Sequence, residues 1–229
     1  MIIRQTIHTA DLEAWKEFVH ACKAAPITES DTWSVYGLGR GQLGVFLAQY
    51  DPAGSVSVSL DIARLDRFSS PYVRISRPGE QPDLSVVGYD LPELLVHNLG
   101  YEPDRGGELS ASPLLFTSRV KDNIPVLESL GLELRSISAD ETYAEFDGDG
   151  ILALHVLDES DDAAPRIKLS FQHPNLDGLA EHLREVGFTP NIGLEDFGRS
   201  MRVKIGNELA RIHESPTTWP NHGEENSQQ

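Results

Sequence analysis

Apolar and polar positions alternate most cleanly at residues 166–172. Ile167, Leu169 and Phe171 share one face, and Lys168, Ser170 and Gln172 share the other, as a strand with one helix-covered face requires. The period then changes. Asn175 reads as a helix cap, Leu176, Leu179, Leu183 and Val186 recur at helical spacing, and Gly187 ends the run. Strands are expected near Thr189–Ile192, Arg199–Ile205 and Glu208–Glu214. The segment before repeats the plan. LLFTSRV is a strand with Leu114 and Phe116 opposite Leu115, Thr117 and Arg119. A helix is expected from Asn123 to Leu130, capped by Asp122, with Pro125 in its first turn. ELRSIS, ETYAEF and ILALHVL follow as strands, the last two joined by a DGDG turn.

The first half carries the same plan in a more worn form. IIRQTIH is a strand, and DLEAWKEFVHACKAA is an amphipathic helix burying Leu12, Trp15, Phe18, Val19 and Cys22. TWSVYGLG and GQLGVFLAQ are the next strands. A further unit opens at SVSVSLDIARLDRF, where Ser55, Ser57 and Ser59 alternate with Val56, Val58 and Leu60. It continues through a short helix interrupted near Ser69–Pro71, strand pieces at Tyr72–Ile75 and Leu84–Val87, and LPELLVH. The self-similarity has a period of about 50 residues for a unit and about 110 for a half.

Composition narrows the function classes. The chain has 229 residues, 39% of them hydrophobic, so a packed core is expected. Its net charge is -17, from 36 acidic and 19 basic residues, which disfavours nucleic acid and anionic membranes as partners. An acidic surface of this kind chiefly maintains solubility, and it weakly suits a cationic ligand. The single cysteine, Cys22, allows no intramolecular disulfide. With no signal peptide or membrane-spanning run legible, a cytoplasmic location is expected. The acidic run Asp158–Asp162 lacks the spacing of a calcium loop. GLGRGQLG links two strands and is no phosphate cradle.

The paired βαβββ units, the Asp-Leu…Phe helix start, LESLGLEL and the ending Gly-Asn-x-Leu-x-x-x-His-Glu resemble the vicinal-oxygen-chelate superfamily. That group includes glyoxalase I, extradiol dioxygenases and bleomycin-resistance proteins. The resemblance covers residues 2–98 and 112–214. It implies an α+β fold of two glyoxalase-like domains, each a curved mixed sheet around a cavity with helices outside. The expected division is an N-terminal domain at 1–99, a linker at 100–112, a C-terminal domain at 113–214 and a flexible tail at 215–229. Metal-dependent members place His, Gln or Glu at four inward positions. Carried over, these positions hold Leu115, Ala153, Lys168 and Ala210 in the second half, and Arg4, Phe46, Ser57 and Leu95 in the first. Neither set suits a divalent ion, so no metal or other cofactor is expected.

The remaining inward polar residues are the candidate ligand contacts. They are Lys168, His155, Gln172, Glu214, Thr117 and Arg119 in the second half, and Arg4, His8 and His97 in the first. Lys168 either binds a carboxylate or phenolate or pairs internally with Glu145 or Glu214, and the internal pair is favoured because a lone buried ammonium is costly. Three functions follow. The first is a metal-free protein that binds or sequesters a small organic molecule. The second is a lyase, isomerase or dioxygenase with a non-standard metal site or Lys/His acid–base chemistry. The third is a non-catalytic interaction module with side-chain-filled cavities. A fused pair of domains satisfies internally the interface that single-domain chains form by dimerising, so a monomer or weak homodimer is expected.

Overall fold

The computed structural model describes residues 1–49, 51–62, 70–77, 83–98, 104–157, 166–195 and 198–215. The expected helix leading to Ser69, the start of the linker, the acidic run Asp158–Asp162 and the tail beyond Ser215 lie outside the described residues.

The first unit runs β1 (Ile2–Thr9), α1 (Leu12–Ala21), β2 (Ala25–Glu29), β3 (Trp33–Gly37) and β4 (Gln42–Leu47). Asp11 caps α1 by accepting a hydrogen bond from the Ala14 amide at 3.1 Å, and Lys23, at φ 59°, turns the chain out of the helix. β2 is a strand that the sequence pattern misses. Pro26 argues against a central strand, but β2 is an edge, where a missing N–H is tolerated. The second unit supplies β5 (Val56–Ile62), β6 (Val73–Arg77), β7 (Asp83–Val86) and β8 (Leu94–Asn98). The eight strands form one sheet in the order β2-β3-β4-β1-β5-β8-β7-β6. β1 and β5 are antiparallel at its centre, and each runs parallel to the last strand of its own unit.

The third unit runs β9 (Ser110–Ala111), β10 (Leu114–Thr117), α2 (Val120–Ser129), β11 (Glu133–Ile137), β12 (Tyr143–Gly148) and β13 (Gly150–Val156). The fourth runs β14 (Ile167–Lys168), β15 (Ser170–His173), α3 (Leu176–Glu185), β16 (Asn191–Glu195), β17 (Gly198–Ile205) and β18 (Glu208–Glu214). They form two five-stranded sheets, β11-β12-β13-β10-β14 and β16-β17-β18-β15-β9. The pairs Ser110–Gln172, Ala111–Phe171, Leu114–Lys168 and Leu115–Ile167 keep a single antiparallel register. The two sheets are therefore arms of the same eight-strand order as the first half. At the break, Ser170 N–H turns to Gln5 Oε1 at 3.4 Å, and Ser170 Oγ donates to the Ser112 carbonyl. Gln5 Nε2 donates to the Ser170 carbonyl at 2.8 Å. A buried side chain of the first half thus stitches the centre of the second.

A repeated turn fixes the correspondence between the halves. Thr9 Oγ1 accepts from the Asp11 amide at 2.9 Å, and Thr117 Oγ1 accepts from the Arg119 amide at 3.2 Å. The second turn starts α2 at Val120, with Arg119 and not Asp122 as the capping residue, so Pro125 lies inside the helix rather than in its first turn. α3 follows expectation, with Asn175 Oδ1 accepting from the Gly178 amide at 3.0 Å.

The helices line the faces by which the halves meet. One core joins α1 to unit four, through Trp15, Phe18 and Val19 against Phe171, Leu179, Leu183, Met201 and Ile212. The other joins unit two to unit three, through Val58, Leu60, Leu94 and Val96 against Leu115, Val126, Leu127 and Phe146. Neither half owns a separate core. The opposite faces of the sheets, called inner here, point away from this shared interior.

Candidate functional site

Strand parity separates the two faces in the second half. Leu114, Phe116, Tyr143, Glu145, Ala153, His155, Lys168, Ser170, Gln172, Arg211 and His213 lie on the inner face, because their neighbours Leu115, Ala144, Phe146, Leu154, Phe171 and Ile212 lie in the shared cores. Glu145 and Gln172 stand on strands separated by two others, and three strand spacings span about 14 Å in a flat sheet. Yet Gln172 Nε2 donates to Glu145 Oε1 at 3.4 Å. The sheet therefore curls, and these two side chains meet across its concave side.

At the mouth of this face lies a row of rings. His155 sits between Phe116, at 5.7 Å between centroids, and Tyr143, at 6.1 Å. The Lys168 ammonium lies over the Phe116 ring, 4.6 Å from its centroid. Tyr143 donates its hydroxyl to Glu145 Oε1 at 2.7 Å, and burial, then the Glu145 charge, push its pKa up. His155 Nδ1 lies 2.7 Å from the Val156 carbonyl, which only accepts, so that nitrogen carries the proton and Nε2 of the neutral ring is left as an acceptor. Ser215 Oγ donates to Gln172 Oε1 at 3.3 Å.

Several expected site residues lie elsewhere. Leu115 and Ala210, counted as inward, are fully buried in the shared cores. The inward residues of those strands are Leu114 and Phe116, and Arg211 and His213. Glu214 shares the helix-side face of Ala210, where it pairs with Arg199 at 3.0 Å. Thr117 is buried on the helix side and donates to the Tyr89 carbonyl, while Arg119 is an exposed capping residue. Lys168 does not pair with Glu145 or Glu214. Lys168, His155 and Gln172 do share one inner face. Tyr143, Phe116 and Arg211 also belong to this face without having been expected as contacts, although the alternation of YAEF and of ELARIHE marks two of them by the same rule that places His155.

The first half carries a related row. Trp33 stacks on Phe46 at 5.8 Å, and His8 lies 5.9 Å from Phe46. By the repeated turn His8 corresponds to Phe116, and cross-strand pairing then matches Phe46 with His155, Trp33 with Tyr143, and Ser57 with Lys168. The polar residues beneath are already engaged. Arg4 pairs with buried Asp61 and donates to Gln42 Oε1 at 2.8 Å. His97 Nδ1 lies 3.6 Å from Asp61, and His8 faces Asp51 at 3.3 Å. Two clefts of 390 and 530 Å³ lie apart from both inner faces, against the exposed stripe Glu13–Glu17–His20 of α1, and gather no catalytic set.

The inward positions of the central strands hold Leu114, Phe116, Ala153, Lys168, Ser170, Gln172 and Arg211 beside His155 and His213, and Glu145 stands on the neighbouring strand. Among the described residues no three His, Cys, Asp or Glu side chains gather around a common point.

Titration of two buried histidines, His213 on the inner face and His173 on the helix side, has a stability consequence. Burial, then the Arg211 charge, hold the His213 pKa below the ordinary range. Burial does the same for His173, against the opposing pull of Glu108 and Glu214. A histidine whose pKa is depressed on folding favours the fold above its unfolded value of about 6.5, and that contribution is lost as pH falls through the folded value. The urea midpoint should therefore drop between about pH 7 and pH 5, and His213→Gln should remove part of the drop.

By sequence, no protein-family model and no curated protein matches the chain. Solved structures do share its architecture. A variant of homoprotocatechuate 2,3-dioxygenase from B. fuscum is 12% identical with a TM-score of 0.59, over 93% of this chain and 70% of that one. A catechol 2,3-dioxygenase is 11% identical with a TM-score of 0.58, over 95% and 89%. A xylose isomerase-like TIM barrel/4-hydroxyphenylpyruvate dioxygenase fusion protein is 7% identical with a TM-score of 0.53, and this chain spans 50% of its length. At these identities the likeness concerns architecture. With four tandem units in two eight-strand arrays, the chain has the fold of the vicinal-oxygen-chelate superfamily.

Proposed function

We propose that the chain binds a small organic molecule on the inner face of its second half without a metal ion, and that Lys168 reads an anionic group on that ligand. One observation carries the reading. The Lys168 side chain is exposed, its ammonium lies over the Phe116 ring, and among the described residues no carboxylate pairs with it. The carboxylates of that face are engaged elsewhere: Glu145 with Tyr143 and Gln172, and Glu195 with Arg202 and Arg211. A cation positioned in this way needs little reorganisation to receive an anion. The rings of Phe116, His155 and Tyr143 supply the adjoining apolar surface. Capture without turnover, as a monomer or weak homodimer in the cytoplasm, is part of the same proposal.

Calorimetric titration with phenylacetate tests it. A charge-assisted contact contributes about 1.5–3 kcal/mol, so Lys168→Ala should weaken phenylacetate at least about tenfold. Neutral phenylacetamide should bind both proteins alike. Equal binding of phenylacetate to both proteins contradicts the role of Lys168. A second reading, acid–base catalysis without a metal, is favoured by the acceptor nitrogen of His155 beside the ring row. Its test is product formation from a bound ligand that disappears in His155→Gln.

A further inference from the structure

We infer that Glu145 determines specificity at this site, by favouring ligands that carry, in addition to their anion, an N–H or O–H group from which it accepts a hydrogen bond. The inference rests on the proposed reading of the second half as a binding face.

Glu145 is 6% exposed. Its Oε1 takes the Tyr143 hydroxyl at 2.7 Å and the Gln172 amide at 3.4 Å. Its Oε2 is buried and, among the described residues, accepts no hydrogen bond, although the Arg135 charge bears on the same carboxylate. A buried carboxylate oxygen left without a donor is costly, and such a group in a folded chain calls for a specific occupant. Position supplies one. Glu145, Ala153, Leu114 and Lys168 lie in cross-strand register as a single row, with the two charged residues at its ends and two small or apolar residues as its floor. A ligand lying along this row has the ammonium at one end and the Glu145 carboxylate at the other. The contact that closes over the floor is weak: Gln172 reaches Glu145 at 3.4 Å and is itself held by Ser215 at 3.3 Å. An incoming donor that bonds Oε2 gains a charge-assisted hydrogen bond and displaces little.

The ligand class is thus a small organic acid with a hydroxyl or amine donor at the end away from its anion. Two probes of like shape and equal charge separate this from the general reading: 4-aminophenylacetate, which carries a donor, and 4-methylphenylacetate, which does not. Wild type should bind the amino probe at least about tenfold more tightly, as one charge-assisted hydrogen bond requires. In Glu145→Gln the preference should fall below about threefold, with the methyl probe little changed. Equal binding of both probes to wild type, with both weakened by Lys168→Ala, overturns the role of Glu145 and leaves the anion site standing. Failure of both probes to bind wild type overturns the binding face and this inference with it.

Discussion

Phe18→Ala should destabilise the whole chain by about 3–5 kcal/mol, the range for removing a large buried aromatic side chain. Phe18 is fully buried. Its ring lies 5.9 Å from Trp15 within α1, 6.3 Å from Phe171 on β15 and 5.8 Å from Phe188 after α3. Two of these partners belong to the other half, so truncation opens a cavity between the halves and not within one of them. The result should be a single cooperative urea transition at lower midpoint, reported alike by fluorescence and circular dichroism. Stability totals of about 5–15 kcal/mol make a loss of this size easy to measure. A first transition confined to the N-terminal half would contradict the shared core.

Arg4→Met should cost a similar amount, about 3–5 kcal/mol, for a different reason. The Asp61 side chain is fully buried, and the Arg4 guanidinium neutralises it. Among the described residues, the remaining contacts of Asp61 are Ser59 Oγ at 3.2 Å and His97 Nδ1 at 3.6 Å, too little to replace a guanidinium. Removing one partner strands the other charge away from water, which is the expensive way to break a buried pair. The double variant Arg4→Met with Asp61→Asn should recover much of the loss, because no charge then remains buried. Urea denaturation of the single and double variants beside wild type checks this. A loss below about 1 kcal/mol for Arg4→Met would mean that the pair behaves as a surface contact.

Much of the fold was legible in the chain, because strand and helix periods are local. Ile167, Leu169 and Phe171 do enter or border the cores, and Asn175 does cap α3. Alternation divides a strand into two faces, but it does not say which face a curled sheet turns inward. In ELARIHE the polar pair Arg211 and His213 opposes Ala210 and Ile212, so local pattern points to the inner residues, whereas transferred family positions point to Ala210. The LLFT strand is apolar on both faces and gives no such signal, so Leu115 and Leu114 are indistinguishable without the helix packed on one of them. β2 was hidden by Pro26, whose tolerance depends on the strand being an edge. Glu145 was visible as a charge, but its unpaired oxygen arises from partners on other strands and from curvature. The stitching by Gln5 of a sheet break 165 residues away in sequence has no local signature.

The most direct test of the account is one titration. Phenylacetate should be titrated into wild type after dialysis against a chelator, with the metal content of the same sample measured. Binding should be saturable at one site and unchanged by the chelator, with metal far below one ion per chain. Binding that vanishes on chelation and returns with a stoichiometric divalent ion would contradict it.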